Sequence, residues 1–247
     1  MHPSKSIILF TVMSGTGYGI LICLSYFTLI SEINLEYNFK ILIMLFSFLF
    51  ISLGLISSTL HLGHPERAWR SFSQWRSSWL SREGLAAIIT YIPLMFFYLL
   101  WYLDISLYKY FLHTAAILSL VTIYCTGQMY ATLKTIPAWN NALVTPIYII
   151  NSISMGSLSL YCFTRFYDIA ILQLYEFTLI SLTLCLILKI IYWFYISTKT
   201  TSTANTATGL GGENDVSFFE GPHTGKNFLT TEMINIIKKE NANFLRL

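Results

Sequence analysis

Charge is what this sequence has least of. Asp, Glu, Lys and Arg make up 11% of its 247 residues, where a soluble domain carries about 25%. With 55% of residues hydrophobic, a water-dispersed globular domain is excluded and a multi-span membrane protein is the expected class. The net charge of +3 is too small to suggest a nucleic-acid partner. Paired cysteines are missing too. Cys23, Cys125, Cys162 and Cys185 all fall in apolar runs and none forms a CxxC pair. An iron–sulfur cluster needs four convergent thiolates, so none is expected in this chain. The four read as small buried apolar residues, and no metal site is expected. A cleavable leader is not expected either: the first apolar run is too long and lacks a clear small-residue cleavage site.

What is present is long apolar runs. A spanning helix needs about 20 mostly apolar residues. Six segments qualify: Ser6–Ile30, Lys40–Leu60, Gly84–Leu103, Tyr108–Tyr130, Thr145–Phe163 and Ile169–Ile196. Lipid forces each to satisfy its own backbone, so the expected fold is all-α, a polytopic integral membrane helix bundle over residues 1–197. The links at 31–39, 104–107 and 164–168 are short and share one side. The other side holds the N-terminus, residues 59–85, the link at 131–144 and the tail. Lys5, Arg67, Arg70, Arg76, Arg82, Lys134 and the tail lysines crowd that second side, which the positive-inside rule assigns to the cytoplasm. Residues 198–247 differ in character. "TKTTSTANTATGLGGEND" reads as a polar linker, and the segment around Met233, Ile236 and Ile237 as a short helix capped by Thr230 or Thr231.

The scarce charge gathers in one place. "TLHLGHPERAWRSFSQWRSSWLSREGL", residues 59–85, holds two His, four Arg, two Glu and three Trp. Gly63 and Pro65 stop the second span, and Pro65 can open the next helix. Trp69, Phe72, Trp75, Trp79 and Leu80 recur at near-helical spacing among arginines, which predicts a basic amphipathic helix in the membrane interface. Ser81 can cap the third span, with Glu83 in its first turn. His61, Arg67 and Glu83 bracket one corner at the mouth of spans two and three. Ionisable groups at membrane depth are functional candidates. A hydrophobic ring compound bearing two oxygens could enter there from the lipid. Oxidising a quinol releases two protons and two electrons. A neutral His can accept a proton, a carboxylate can relay it, and an Arg can fix the carboxylate or offset negative charge.

Residues 58–85, "STLHLGHPERAWRSFSQWRSSWLSREGL", resemble the signature of the DmsC family, the membrane-anchor subunits of dimethyl sulfoxide reductase: an H-L-G-x-P-x-R-A-[FW] run followed by S-x-E at the next span. "GQMYATLKTIPAWNNALVTPIY", residues 127–148, resembles that family's second loop signature, and "GPHTGKNFLTTEM", residues 221–233, its later linker. The resemblance implies a subunit of the bacterial inner membrane with no redox cofactor of its own. It implies partners: a molybdopterin catalytic subunit and an iron–sulfur subunit that receives electrons from menaquinol for anaerobic respiration. The family's quinol-site residues fall on His61, Gly63, Arg67 and Glu83, with Gly63 allowing close approach of ligand or backbone. Trp69, Lys134, Trp139 and Asn140 are candidates to meet the iron–sulfur subunit or the quinone headgroup. They serve equally as an interfacial loop with Trp anchors.

Two departures accompany the likeness. Members of the family carry eight spans and this sequence shows six, so a short variant or an interrupted gene is expected, with missing spans beyond residue 247. The family's H-L-G corner also faces the exported catalytic subunits, opposite to the Lys and Arg distribution here. Other readings stay open. A haem b anchor needs two facing axial ligands; only His61 and His113 lie near spans, and hairpin geometry puts them on opposite faces. A transporter would show charges at mid-depth, where only Lys189 lies. A purely structural anchor, its quinol site lost by truncation, is the third.

Overall fold

The apolar runs fold as helices because nothing else closes their backbone hydrogen bonds without water. The structure, a computed structural model, describes residues 5–30, 37–59, 65–134, 136, 138–169 and 171–198. Among these residues the chain forms α1 (Lys5–Ile30), α2 (Tyr37–Thr59), a 3-10 helix (Pro65–Gln74), α3 (Trp79–Tyr102), α4 (Tyr108–Ala131), α5 (Val144–Phe166) and α6 (Leu172–Thr198). All six α-helices are long and apolar enough to cross a membrane. The six expected spans are all there. The third begins at Trp79 rather than Gly84, and the others agree within a few residues. The expected linker and short helix of the tail lie outside the described residues.

Small residues set the packing. Lipid supplies little hydrophobic drive between helices, so close backbone approach matters most. A Cβ on Gly19 would lie 1.8 Å from the Ser152 carbonyl oxygen, and one on Gly156 would lie 2.1 Å from the Gly19 carbonyl carbon. Helices α1 and α5 therefore touch backbone to backbone. On its other side α1 meets α2 in the same way: a Cβ on Gly54 would come within 2.6 Å of the Ser14 nitrogen. Helix α1 is thus the centre of the bundle, with Ile20, Leu21 and Cys23 fully buried. Helix α6 is the periphery. It joins α5 through the Ser181 hydroxyl and carbonyl, which meet Ser157 and Ser154. Much of its surface, including Ile180, Leu186 and Phe194, faces outward.

Alternating helix directions sort the connections into two ends. The hairpin end holds the tight α3–α4 and α5–α6 turns, where Asp104 and Asp168 adopt positive φ of 54° and 55°. Short Asp side chains tolerate that left-handed geometry. The other, loop-rich end holds the 3-10 helix and the α4–α5 link.

The basic amphipathic segment is helical, and its helix is of the 3-10 type. Pro65–Gln74 is a 3-10 helix, followed by a turn before α3. The spacing explains this: Glu66, Trp69, Phe72 and Trp75 recur every three residues, as do Arg67, Arg70, Ser73 and Arg76, which is the 3-10 period. Ser71 and Ser73 reinforce it by donating to the carbonyls of Ala68 (2.7 Å) and Arg70 (2.8 Å), three residues back. The cysteine reading needs one correction. Cys23 and Cys125 are buried, but Cys162 is exposed and Cys185 half-buried, because α5 and α6 form the rim.

Candidate functional site

The loop-rich corner is built by docking the 3-10 helix onto the first turns of α3. The Ser81 hydroxyl donates to the Ser71 carbonyl at 2.5 Å. Gly84 lets the Phe72 ring lie flat against α3, since a Cβ there would meet Phe72 Cε1 at 2.9 Å. Arg82 closes the intervening turn, its guanidinium donating to the carbonyls of Trp75 (2.9 Å) and Arg76 (2.7 Å). It also stacks 4.3 Å from the Trp79 ring centroid, and Trp79 packs edge-on against Tyr124 of α4. These contacts draw Trp79 and Leu80 into the helix.

The expected capping is corrected by that early start. Ser78 holds the N-cap position and makes no side-chain cap bond. Ser81 is the helix's third residue, buried and facing the 3-10 helix. Glu83 sits in the second turn rather than the first, and it is 4% exposed. It points inward, where the Thr126 hydroxyl of α4 donates to Oε1 at 2.5 Å. Among the described residues that is the one hydrogen bond the Glu83 carboxyl makes, and no cation pairs with it. The phenols of Tyr18 on α1, Tyr130 on α4 and Tyr148 on α5 lie within electrostatic range of the carboxyl. Four helices thus converge on one acidic group.

The predicted residues separate into three sets. His61 and Gly63 lie outside the described residues. Arg67 is exposed and faces Glu66, at 3.8 Å, and makes no recorded contact with Glu83. Trp69 is 66% exposed on the outer face, 5.7 Å from the Arg70 guanidinium. The second loop folds over the same end. Lys134 is exposed, the Asn140 amide donates to the Ala131 carbonyl at 2.8 Å, and Trp139 packs edge-on against Tyr130, with centroids 5.1 Å apart. Tyr130 in turn stacks on Tyr148 at 5.4 Å. The loop is therefore tied through two aromatic rings to the surroundings of Glu83.

Tyr18, Thr126, Tyr130 and Tyr148 were not anticipated from the sequence. A signal for Thr126 was present: Ser119, Thr122 and Thr126 are spaced by three and four within an apolar run, a polar stripe that one helix face turns inward. All three are buried. Nothing comparable marks Tyr18, whose neighbours are glycines. Among the described residues no three His, Cys, Asp or Glu side chains converge as a metal site.

Six apolar helices with a buried carboxyl among them, and most of the cations on the loop-rich end, define a multi-pass membrane protein. The chain belongs to the DmsC family: the family model for the DMSO reductase anchor subunit matches residues 1–213. It is similar to the sulfite dehydrogenase C subunit of Allochromatium vinosum, 31% identical over 179 residues, which cover 64% of this chain and 53% of that protein. It is also similar to the C polypeptide of the anaerobic dimethyl sulfoxide reductase of Haemophilus influenzae, 29% identical over 160 residues, which cover 62% of this chain and 56% of that one. The chain spans about half the length of these curated relatives. No solved structure matches it.

Proposed function

We propose that this chain anchors a dimethyl sulfoxide reductase-like complex in the bacterial inner membrane and oxidises menaquinol at the corner bounded by residues 61 and 83. The observation that carries this reading is Glu83: a carboxyl held inside a membrane bundle with, among the described residues, one hydroxyl donor. Leaving a buried polar group so sparsely bonded is costly, and such groups in membrane spans mark proton or ligand sites. Family membership supplies the substrate class. The relatives' names, one from a dimethyl sulfoxide reductase and one from a sulfite dehydrogenase, leave both the terminal substrate and the direction of electron flow to the partners.

The residues divide the work by position. Glu83 takes a proton from a quinol hydroxyl within the bundle. His61 and Gly63, four and two residues before Pro65, belong to the same corner in sequence and are kept as proton acceptor and close-approach point. Arg67 faces Glu66 at the surface, so its role is assigned to the outer wall of the corner or to the partner, not to fixing Glu83. Trp69, Lys134, Trp139 and Asn140 form the loop-rich face on which an iron–sulfur subunit would dock, with the molybdopterin subunit beyond it. Iron–sulfur clusters held by that partner would accept the two electrons.

The test is binding of a fluorescent menaquinol analogue to membranes containing this chain and its partner subunits, beside His61→Ala and Glu83→Gln. Saturable binding that is lost in both variants supports the corner as the quinol site. Equal binding in all three removes it. Absence of binding in the parent, with the partners still membrane-bound, assigns a structural anchor.

A further inference from the structure

Among the described residues three buried side-chain hydroxyls make no hydrogen bond: Tyr18, Ser119 and Thr145. Buried polar groups are nearly always bonded, so each such group calls for an explanation. Of the three, Tyr18 lies within electrostatic range of Glu83. It is 2% exposed, in the middle of the central helix. Helix side chains lean toward the helix N-terminus, so its phenol leans toward the loop-rich end. There it approaches Thr122, whose own hydroxyl donates to the Leu118 carbonyl at 2.9 Å, and it makes no hydrogen bond among the described residues. One helical turn further along α4 lies Thr126, which holds Glu83 Oε1. The other Glu83 oxygen makes no hydrogen bond among the described residues, and the two groups share an electrostatic environment. Among the described residues, a donor without a partner and a carboxyl with one hydrogen bond therefore lie along one polar seam between α1, α3 and α4.

We propose that Tyr18 and Glu83 are two walls of one oxygen site, in which the Tyr18 hydroxyl donates to the same oxygen atom that faces the Glu83 carboxyl. The ligand is a neutral oxygen that both accepts and donates a hydrogen bond. A water molecule has that chemistry, and so does a ring hydroxyl of a hydroquinone. A carboxylate ligand is disfavoured beside Glu83, and an apolar ligand would leave both groups unsatisfied. Tyr18 is then a positioning residue of the site. Only the hydroquinone source rests on the quinol reading above; the water source stands without it.

Tyr18→Phe removes one oxygen atom and keeps the ring that packs α1. If the phenol served packing alone, deleting an unbonded hydroxyl would leave thermal stability unchanged or raised and ligand binding intact. Two measurements on the full complex in detergent separate the cases: the thermal midpoint without quinol, and the affinity for the menaquinol analogue. A single neutral hydrogen bond corresponds to about a three- to tenfold change in affinity. Analogue binding weakened by about that factor, with the midpoint unchanged, supports the site with a hydroquinone oxygen. A midpoint lowered in Tyr18→Phe and not lowered further in Tyr18→Phe/Glu83→Gln than in Glu83→Gln alone supports it with water. That result holds even if the parent complex binds no analogue, an outcome that overturns the quinol reading and leaves this one standing. A midpoint equal to or above the parent's, together with analogue binding equal to the parent's or absent from both, overturns the proposal.

Discussion

The two ends of the bundle each hold an acidic residue next to a helix terminus, and they treat it in opposite ways. At the hairpin end Asp104 pairs with Lys40, its side chain 73% exposed. Water and a cation meet every requirement of that charge, and the Lys40 ammonium also lies over the Trp101 ring at 5.9 Å. The one His in the described spans is settled there too: His113 Nδ1 shares a 2.7 Å hydrogen bond with Ser25 across α1 and α4. At the loop-rich end Glu83 is buried, with one hydroxyl partner and no cation among the described residues, although Arg82 is its immediate neighbour. Arg82 is committed elsewhere, to two carbonyls and a Trp ring. At one end Asp104 and His113 each have a side-chain partner. At the other, Glu83 has a single hydrogen bond among the described residues. That contrast, more than the number of arginines, separates the two ends.

The largest effect comes from removing the frame that keeps the ends apart. In Gly19→Val the new Cβ lands on the Ser152 carbonyl, and α1 and α5 cannot cross. The loss should exceed about 4 kcal/mol, beyond ordinary point mutations, and detergent extraction should yield no monodisperse protein. Next, Glu83→Gln and Asp104→Asn remove the same charge from opposite ends. Proton transfer by a placed carboxyl contributes about a hundredfold or more. Quinol-dependent turnover of the complex should fall by about that much in Glu83→Gln and stay within about twofold in Asp104→Asn. Comparable losses in both would erase the distinction. Thr126→Val, which keeps volume, takes away the one donor to Glu83 among the described residues. It should cost about 1–2 kcal/mol in unfolding free energy, read as a lowered thermal midpoint, and Thr126→Ser should restore it.

The frame was legible because hydropathy is summed over about twenty residues at a time. All six spans emerged from it, and one misplaced boundary, Gly84 for Trp79, came from reading Trp79 and Leu80 as interface rather than helix. The helix at 65–74 was expected without its type, because Trp69, Phe72 and Trp75 fit both periods loosely and the every-third arginines that decide the matter were counted only as charge. Glu83 was a candidate from the sequence, but its described partners were not legible there. Adjacent residues suggested Arg67 and a helix dipole, while the fold delivers Thr126, forty-three positions away, and phenols from three helices. Such long-range partners are fixed by how α1, α4 and α5 cross. That crossing depends on Gly19, Gly127 and Gly156, whose role is visible only when two backbones are seen to touch.

The smallest expected effect tests the satisfied end on its own terms. Exposed ion pairs contribute about 0–1 kcal/mol, because solvent already solvates each partner and ordering two long side chains offsets the attraction. Asp104 has a second task, however: it holds a φ of 54°, where a β-carbon is strained and Asn is tolerated nearly as well as Asp. Asp104→Asn therefore isolates the charge, whereas Asp104→Val adds backbone strain of about 1–2 kcal/mol. The Asn variant should shift unfolding by about 0.5 kcal/mol or less, and the shift should shrink as salt is raised, since screening acts on solvent-facing pairs. The Val variant should destabilise by more, independently of salt. A large, salt-insensitive loss in Asp104→Asn would mean that the Lys40 pair is shielded from water after all, and that the hairpin end, like the loop-rich end, holds a charge the bundle must accommodate without solvent.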